Sequence, residues 1–83
     1  MRPVAAVEVV MYVRPGCGLC AEAREVILAE RARTPFAYRE VDISGDEALE
    51  LEYGIRIPVV EVDGRELFEL RVPPRDFAAS VRR

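Results

Sequence analysis

The sequence predicts a small α/β domain with its elements in the order β-α-β-α-β-β-α. Three observations support this class. A nearly continuous apolar run over residues 7–13 is typical of a strand buried on both faces. Helical periodicity follows this run, and Asp63-Gly64 between two apolar segments indicates a β-hairpin. Because a helix after the first strand permits a parallel second strand, we expect a four-stranded mixed sheet flanked by helices. The 83 residues suit one domain spanning 1–83.

The first strand, Val7–Val13, should end at Pro15 and Gly16. A helix should then run from Cys17 or Gly18 to about Arg33. The residues that share its apolar face are Leu19, Cys20, Ala23, Val26 and Ile27.

The next predicted strand, Phe36–Ile43, has imperfect alternation and is interpreted as an edge strand. Ser44 and Glu47 have the spacing of a capping box, with Ser44 as the N-cap of a short helix. This helix should extend to Tyr53, and Gly54 should end it in the left-handed conformation.

The hairpin should consist of strands Val59–Asp63 and Arg65–Val72. Pro73 and Pro74 should then open a last helix, Arg75 to about Arg82. The residues of this helix that should face the core are Phe77, Ala78 and Val81.

Composition excludes several functions. The net charge is −3 and no basic block is present, which argues against nucleic acid. The apolar run Val4–Val13 is too short to span a bilayer, and it lacks the cleavage site of a signal peptide. We therefore expect a cytoplasmic protein with reduced thiols. The absence of His excludes a Cys–His nucleophile pair, and two cysteines alone cannot complete a Cys₄ zinc site.

Cys17 and Cys20 are the only cysteines, and they lie where the first strand gives way to a helix. Unpaired N–H groups and the helix dipole stabilise a thiolate there, and Arg14 can add a positive charge. Cys17 should therefore be the nucleophile. Cys20, one turn further on the inward face, should be the less exposed, resolving thiol. Gly18 permits close approach and unusual backbone dihedrals.

Two other interpretations of the pair stay open. Cys-x-x-Cys is also a common zinc half-site, which here would need a second chain or an external ligand. Two buried cysteines without a function are the other alternative. The strand–turn–helix context favours redox chemistry over both.

Three segments carry a family resemblance: MYVRPGCGLC, REVDIS and YGIRIPVVEVDGREL. They resemble the small glutaredoxin-like branch of the thioredoxin-fold superfamily over about Val7 to Leu70. The resemblance implies the thioredoxin fold. It also implies that Pro58 is a cis-proline facing the two cysteines, and that the Ile57 backbone groups pair with an extended substrate.

Gly18 and Leu19, between the cysteines, are also expected to contact substrate. Arg14 stands where glutaredoxins commonly have a basic residue that meets a glutathione carboxylate, and Arg56 is a weaker candidate. The chain also departs from the family. It has Cys17-Gly18-Leu19-Cys20 in place of C-P-Y-C, and LRVPPRDF where glutathione-using members have Gly-Gly and a later Asp.

The predicted function is therefore a monomeric thiol–disulfide oxidoreductase that reduces protein disulfides or glutathione mixed disulfides. We expect no bound cofactor or metal. Electrons would come from glutathione, as a co-substrate, or from a reductase. One alternative is a dimeric carrier of a [2Fe–2S] cluster, since Gly18 meets a condition for that glutaredoxin type. The other is a redox-inactive binding module.

Overall fold

The computed structural model describes residues 6–82 and has the predicted order of elements. The strands and helices are β1 (Glu8–Val13), α1 (Gly18–Arg31), β2 (Ala37–Asp42), α2 (Glu47–Tyr53), β3 (Val59–Val62), β4 (Arg65–Glu69) and α3 (Pro74–Val81). The strands form one sheet in the order β2-β1-β3-β4. β1 pairs with β2 in parallel, and the other two pairings are antiparallel. The predicted mixed sheet is confirmed, with β2 at its edge.

β1 is the central strand that its composition predicts. Val9, Val10 and Met11 are all buried, so both faces of the strand are covered. A strand with neighbours on both sides and cover on both faces has few positions left for polar residues. β1 also leads directly into the segment that carries Cys17, and therefore fixes that segment to the middle of the sheet.

The main core lies between the sheet and helices α1 and α3. The buried residues of α1 include Cys20, Ala23 and Ile27, as predicted, and Phe77 and Val81 come from α3. Leu19 and Val26 are only half-buried. α1 ends at Arg31, two residues before the predicted end, and the N–H groups of residues 33 and 34 both bond to the Glu30 carbonyl.

Glu30 is a buried carboxylate on the apolar face of α1, three residues after Ile27, and the predicted core does not include it. Only 2% of it is exposed, and it accepts hydrogen bonds from the Thr34 hydroxyl and from the guanidinium groups of Arg33 and Arg82. The Thr34 hydroxyl and the two arginines lower its pKa to about 2. Because Arg82 follows α3, this ionic cluster ties the end of α1 to the end of α3.

The predicted boundaries of α2 are wrong in two details. Its N-cap is Asp46, whose carboxylate accepts from the Leu49 N–H at 3.1 Å, and not Ser44. The Ser44 N–H instead donates to Asp42 in the turn before the helix. Gly54 has right-handed helical dihedrals, φ −49° and ψ −43°, so the left-handed cap does not form.

The hairpin is confirmed. Asp63 and Gly64 form its two-residue turn with φ angles of 52° and 81°, as a type I′ turn requires. β4 ends at Glu69, before the predicted Val72, because Leu70 takes a left-handed φ of 67°. α3 begins with Pro74 at its first position, one residue before the prediction. Within residues 6–82, no helix has the length and apolar character needed to cross a membrane.

Candidate active site

The two cysteines lie at the amino end of α1. Cys17 is the N-cap residue, with φ −84° and ψ 112°, and its sulfur accepts a hydrogen bond from the Cys20 backbone N–H at 3.1 Å. The two sulfurs are joined as a disulfide, and the Cα atoms are 5.2 Å apart, within the usual range for such a bond. The structure therefore brings together the pair that the sequence singled out.

The two sulfurs have different surroundings. Cys17 is half-buried, whereas only 1% of Cys20 is exposed and it belongs to the buried core. The first turn of α1 has no acidic residue that would repel an anion at Cys17. Once the disulfide is reduced, the Cys17 thiolate therefore has an N–H donor, the helix dipole and access to solvent. The expectation that Cys20 is the less exposed of the two is confirmed.

Gly16 sets the turn that positions Cys17. Its φ of 79° is a left-handed conformation that residues with a side chain rarely adopt. The Cys17 N–H then donates to the Arg14 carbonyl at 3.3 Å and closes the turn. Gly18, which the sequence analysis expected to have unusual dihedrals, has no positive φ, because it is already the first residue of α1. No atom lies within 4 Å of where its Cβ would be, so the surface is open there.

Ile57 and Pro58 precede β3, and both are buried. The Ile57–Pro58 peptide bond is cis. The Leu70 N–H donates to the Pro58 carbonyl at 2.9 Å and to the Arg56 carbonyl at 3.2 Å, which holds this segment against the end of the hairpin. Within residues 6–82, neither backbone group of Ile57 has a hydrogen-bond partner. Backbone groups without a partner are unusual at a residue that is only 8% exposed.

Arg14 lies beside Cys17 and forms an ion pair with Glu50 of α2. Arg56, the weaker candidate, forms an ion pair with Glu66 at 3.0 Å and lies over the Tyr53 ring, 5.5 Å from its centroid. Both arginines therefore already have carboxylate partners. Arg14 is the one whose side chain borders the cavity around the cysteines.

A cavity of about 560 Å³ adjoins the cysteines, and its polar wall was not predicted from the sequence. Arg24 and Glu40 line it and form a bidentate pair, with nitrogen–oxygen distances of 2.6 and 2.7 Å. The Arg24 guanidinium holds the pKa of Glu40 below its ordinary value. Arg24 follows Cys20 by one helical turn, and Glu40 interrupts the alternation of the edge strand. The helical spacing of Arg24 from Cys20 and the charged residue within the edge strand are the sequence features from which this ion pair could have been predicted.

Leu19 is half-buried and points towards a separate groove of about 280 Å³. The groove lies between α1 and the segment that joins β4 to α3, and its lining residues include Ala23, Val26, Leu70, Val72 and Pro74. This groove begins next to the cysteines and is mainly apolar, so it is suited to an apolar side chain.

Comparison with known proteins gives consistent results. The family model described as "Glutaredoxin-like domain (DUF836)" matches residues 8–81. A structural genomics target from X. campestris, solved by X-ray crystallography, is 35% identical; the match covers 86% of this chain and 91% of that one, with a TM-score of 0.73. The solution structure of a Nitrosomonas europaea protein is 25% identical over 99% of each chain, with a TM-score of 0.81.

A thioredoxin of Halobacterium salinarum matches with 22% identity, covering 93% of this chain and 73% of that one, at a TM-score of 0.64. At this identity the match shows the fold alone. It confirms the thioredoxin fold that the sequence resemblance implies.

Proposed function

The chain belongs to the glutaredoxin-like domain family, and we propose that it is a thiol–disulfide oxidoreductase that reduces protein disulfides or glutathione mixed disulfides. The observation that carries the proposal is the asymmetry of the two sulfurs. Cys17 is half-buried at the helix terminus and accepts the Cys20 N–H, whereas Cys20 is buried behind it. One thiol is therefore suited to attack and the other to resolve.

The proposed reaction starts from the reduced protein. The Cys17 thiolate attacks one sulfur of the substrate disulfide and displaces the other sulfur as a thiolate. The Cys20 thiolate then attacks the Cys17 sulfur, forms the Cys17–Cys20 disulfide and releases the remaining substrate sulfur. Two electrons pass from the dithiol to the substrate, and the two substrate thiolates take up the protons that the cysteines lost.

The disulfide of the structure corresponds to the oxidised state that this reaction produces. An electron donor must then return two electrons to it. We propose glutathione or a reductase as this donor. The segment after β4 lacks the Gly-Gly of glutathione-using relatives, which favours a reductase. We also propose that the protein acts as a monomer in the reducing cytoplasm, where the dithiol form can be maintained.

Substrate binding is proposed to involve residues on several sides of Cys17. An extended substrate segment would pair with the Ile57 N–H and C=O, beside Pro58, since neither group has a partner within residues 6–82. Gly18 leaves room for the approach, and Leu19 offers an apolar contact. Arg14 would bind a carboxylate of a glutathione adduct once it exchanges its bond to Glu50.

Insulin reduction tests the proposal, with electrons supplied once by glutathione and glutathione reductase and once by a thioredoxin reductase. We expect turnover with at least one donor, and none for Cys17→Ser, because a hydroxyl forms no comparable anion near neutral pH. A glutathione mixed disulfide should be run beside insulin, so that a preference for small substrates is seen. Absence of turnover with both donors and both substrates would overturn the proposal.

A further inference from the structure

Two large apolar side chains, one in α2 and one just after it, are almost fully exposed. Leu51 is 91% exposed and Ile55 is 95% exposed. Leu51 lies within α2 (Glu47–Tyr53), and Ile55 is the second residue after its end. Single exposed apolar residues are normal, but two at such exposure within five residues of the chain indicate a candidate contact surface. We call Leu51, Ile55 and the neighbouring Glu47 and Glu52 the α2 surface.

The α2 surface lies in the acidic part of the chain. Residues 44–70 contain eight acidic and two basic residues, a net charge of −6, whereas the whole chain has a net charge of −3. The remainder is therefore net positive, at +3. Within residues 6–82, neither Glu47 nor Glu52 forms an ion pair through its carboxylate. The two exposed apolar side chains are thus accompanied by two carboxylates without a salt bridge in the described residues, of which Glu52 still contributes to the raised pKa of Arg56.

An open depression of about 470 Å³ runs along this surface. It is lined by Gly45, Glu47, Glu50 and Leu51. An arginine or lysine side chain matches this combination, because its aliphatic stem can lie on Leu51 while its charged head meets the carboxylates. A fully apolar partner would leave the Glu47 carboxylate desolvated and without an ion-pair partner, which is costly. Charge complementarity therefore selects a basic partner.

The α2 surface is connected to the candidate active site through Arg14. The Arg14 side chain bonds to Glu50, which forms one wall of the depression. The Arg14 carbonyl accepts from the Cys17 N–H at 3.3 Å. A single residue thus bridges the depression and the segment that carries the reactive sulfur. A polypeptide bound at one is within reach of the other.

We propose that the α2 surface docks protein substrates whose reactive disulfide is flanked by arginine or lysine and by an apolar side chain. This inference rests on the proposed disulfide reductase function and assigns its substrate class. The basic side chain binds in the depression, and the apolar one covers Leu51 and Ile55. Docking brings the substrate disulfide to Cys17, and the exchange that follows is the one described above.

The test measures how fast three disulfides oxidise the pre-reduced full chain in a single turnover. One probe is a short peptide with two arginines and a leucine around one cysteine, as its disulfide dimer. The second has glutamates in place of the arginines, and the third is neutral 2-hydroxyethyl disulfide. Single turnover needs no electron donor, so the result does not depend on which donor the protein uses. The second-order rate constants are compared at about 20 mM and about 500 mM salt, where charge screening differs strongly.

We expect the basic peptide to react about tenfold faster than the acidic one at low salt, and the preference to shrink at high salt. Glu47→Lys should remove most of this preference. Glu25→Lys, the same change of charge at an exposed position of α1, should keep it. Leu51→Ser should slow the basic peptide several-fold at both salt concentrations. All variants should react with 2-hydroxyethyl disulfide at the wild-type rate. This probe is too small to contact the α2 surface while its disulfide is at Cys17.

Equal preferences in Glu47→Lys and Glu25→Lys would overturn the docking proposal and leave the reductase function standing. Analytical ultracentrifugation of the wild type and Leu51→Ser gives a second check. If the wild type is a dimer and Leu51→Ser is a monomer, a second copy of the chain covers the α2 surface and the docking proposal is overturned. If none of the three probes oxidises the wild-type dithiol, the reductase function itself fails and the docking proposal fails with it.

Discussion

The Cys17 sulfur accepts a hydrogen bond from the Cys20 backbone N–H, at 3.1 Å, across the first turn of α1. This contact joins the two cysteines through the backbone as well as through their sulfurs. Because an N–H donor favours a thiolate over a thiol, the bond gains strength when the disulfide is reduced and Cys17 carries charge. The different roles proposed for the two thiols depend on this relationship.

The first prediction concerns the ionisation of the two thiols. In the reduced protein, Cys17 should have the lower pKa, since it has the N–H donor and the helix dipole while Cys20 lies in the apolar core. Alkylation with iodoacetamide at pH 6, followed by mass spectrometry of the peptides, measures this. Cys17 should be modified first. Faster modification of Cys20 would reverse the assigned roles.

The second prediction uses two glycines on either side of Cys17. Gly16→Ala should destabilise the protein by about 1–2 kcal/mol, because alanine is strained at a φ of 79°. Gly18→Ala should be neutral or stabilising by up to about 1 kcal/mol, since Gly18 is in the helix and its Cβ would meet open space. Urea unfolding of both variants tests this. Equal effects on stability would contradict the turn geometry.

The third prediction concerns pH and the buried Glu30. Its pKa is lowered to about 2 by Thr34, Arg33 and Arg82, so its ionic bonds stabilise the fold above the ordinary glutamate pKa of 4.5. This stability should be lost as the pH falls from about 5 towards 2. Glu30→Gln should therefore be less stable than wild type at pH 6, with a difference that shrinks at low pH.

Glu25→Gln is the control for Glu30, because Glu25 lies exposed on the same helix. Urea midpoints of the wild type and both variants, measured from pH 6 to pH 3, give the comparison. Glu25→Gln should follow the wild type throughout. A difference between the wild type and Glu30→Gln that stays constant with pH would show that packing, and not charge, is lost in the variant.

The fourth prediction concerns Arg14 and charged substrates. Arg14→Gln should slow the reduction of a glutathione mixed disulfide by about threefold to tenfold. The reason is that a carboxylate of the bound glutathione would lose the positive charge that Arg14 provides near Cys17. The reduction of neutral 2-hydroxyethyl disulfide should change little. Arg39→Gln on the exposed edge strand is the matched control. If Arg14→Gln slowed both disulfides equally, its role would be to hold the turn and not to bind substrate.

Sequence reasoning succeeded where local chemistry decides the structure. The apolar run of β1, the periodicity of α1 and the Asp63-Gly64 turn each depend on residues close together in the chain. The position of Cys17 at the start of a helix follows from the same local signals. The parallel pairing of β1 and β2 is expected from the helix that connects them, whereas the place of the hairpin beside β1 was not predicted.

Contacts between distant segments could not be predicted in this way. Glu30 has the spacing of the apolar face of α1 but a charged side chain, and one of its partners there, Arg82, is 52 residues away in the chain. The sequence predicts Ser44 as the N-cap of α2. In the structure the Ser44 N–H donates to the Asp42 carboxylate, and Asp46 caps the helix. Both residue types are good N-caps, so only the turn that precedes the helix decides between them. The Arg14–Glu50 pair likewise depends on how α2 packs beside the active-site turn.

The central claim is that Cys17 attacks and Cys20 resolves, and trapping with the two serine variants tests it most directly. Reduced Cys20→Ser and Cys17→Ser proteins are each incubated with insulin, and covalent adducts are separated on non-reducing gels and identified by mass spectrometry. Cys20→Ser should form a long-lived disulfide between Cys17 and insulin, because the thiol that would release it is missing. Cys17→Ser should form none. Equal adduct formation by both variants would contradict the claim. So would a visible chromophore in the wild type that both variants lose equally, because that result indicates a cluster held by both sulfurs.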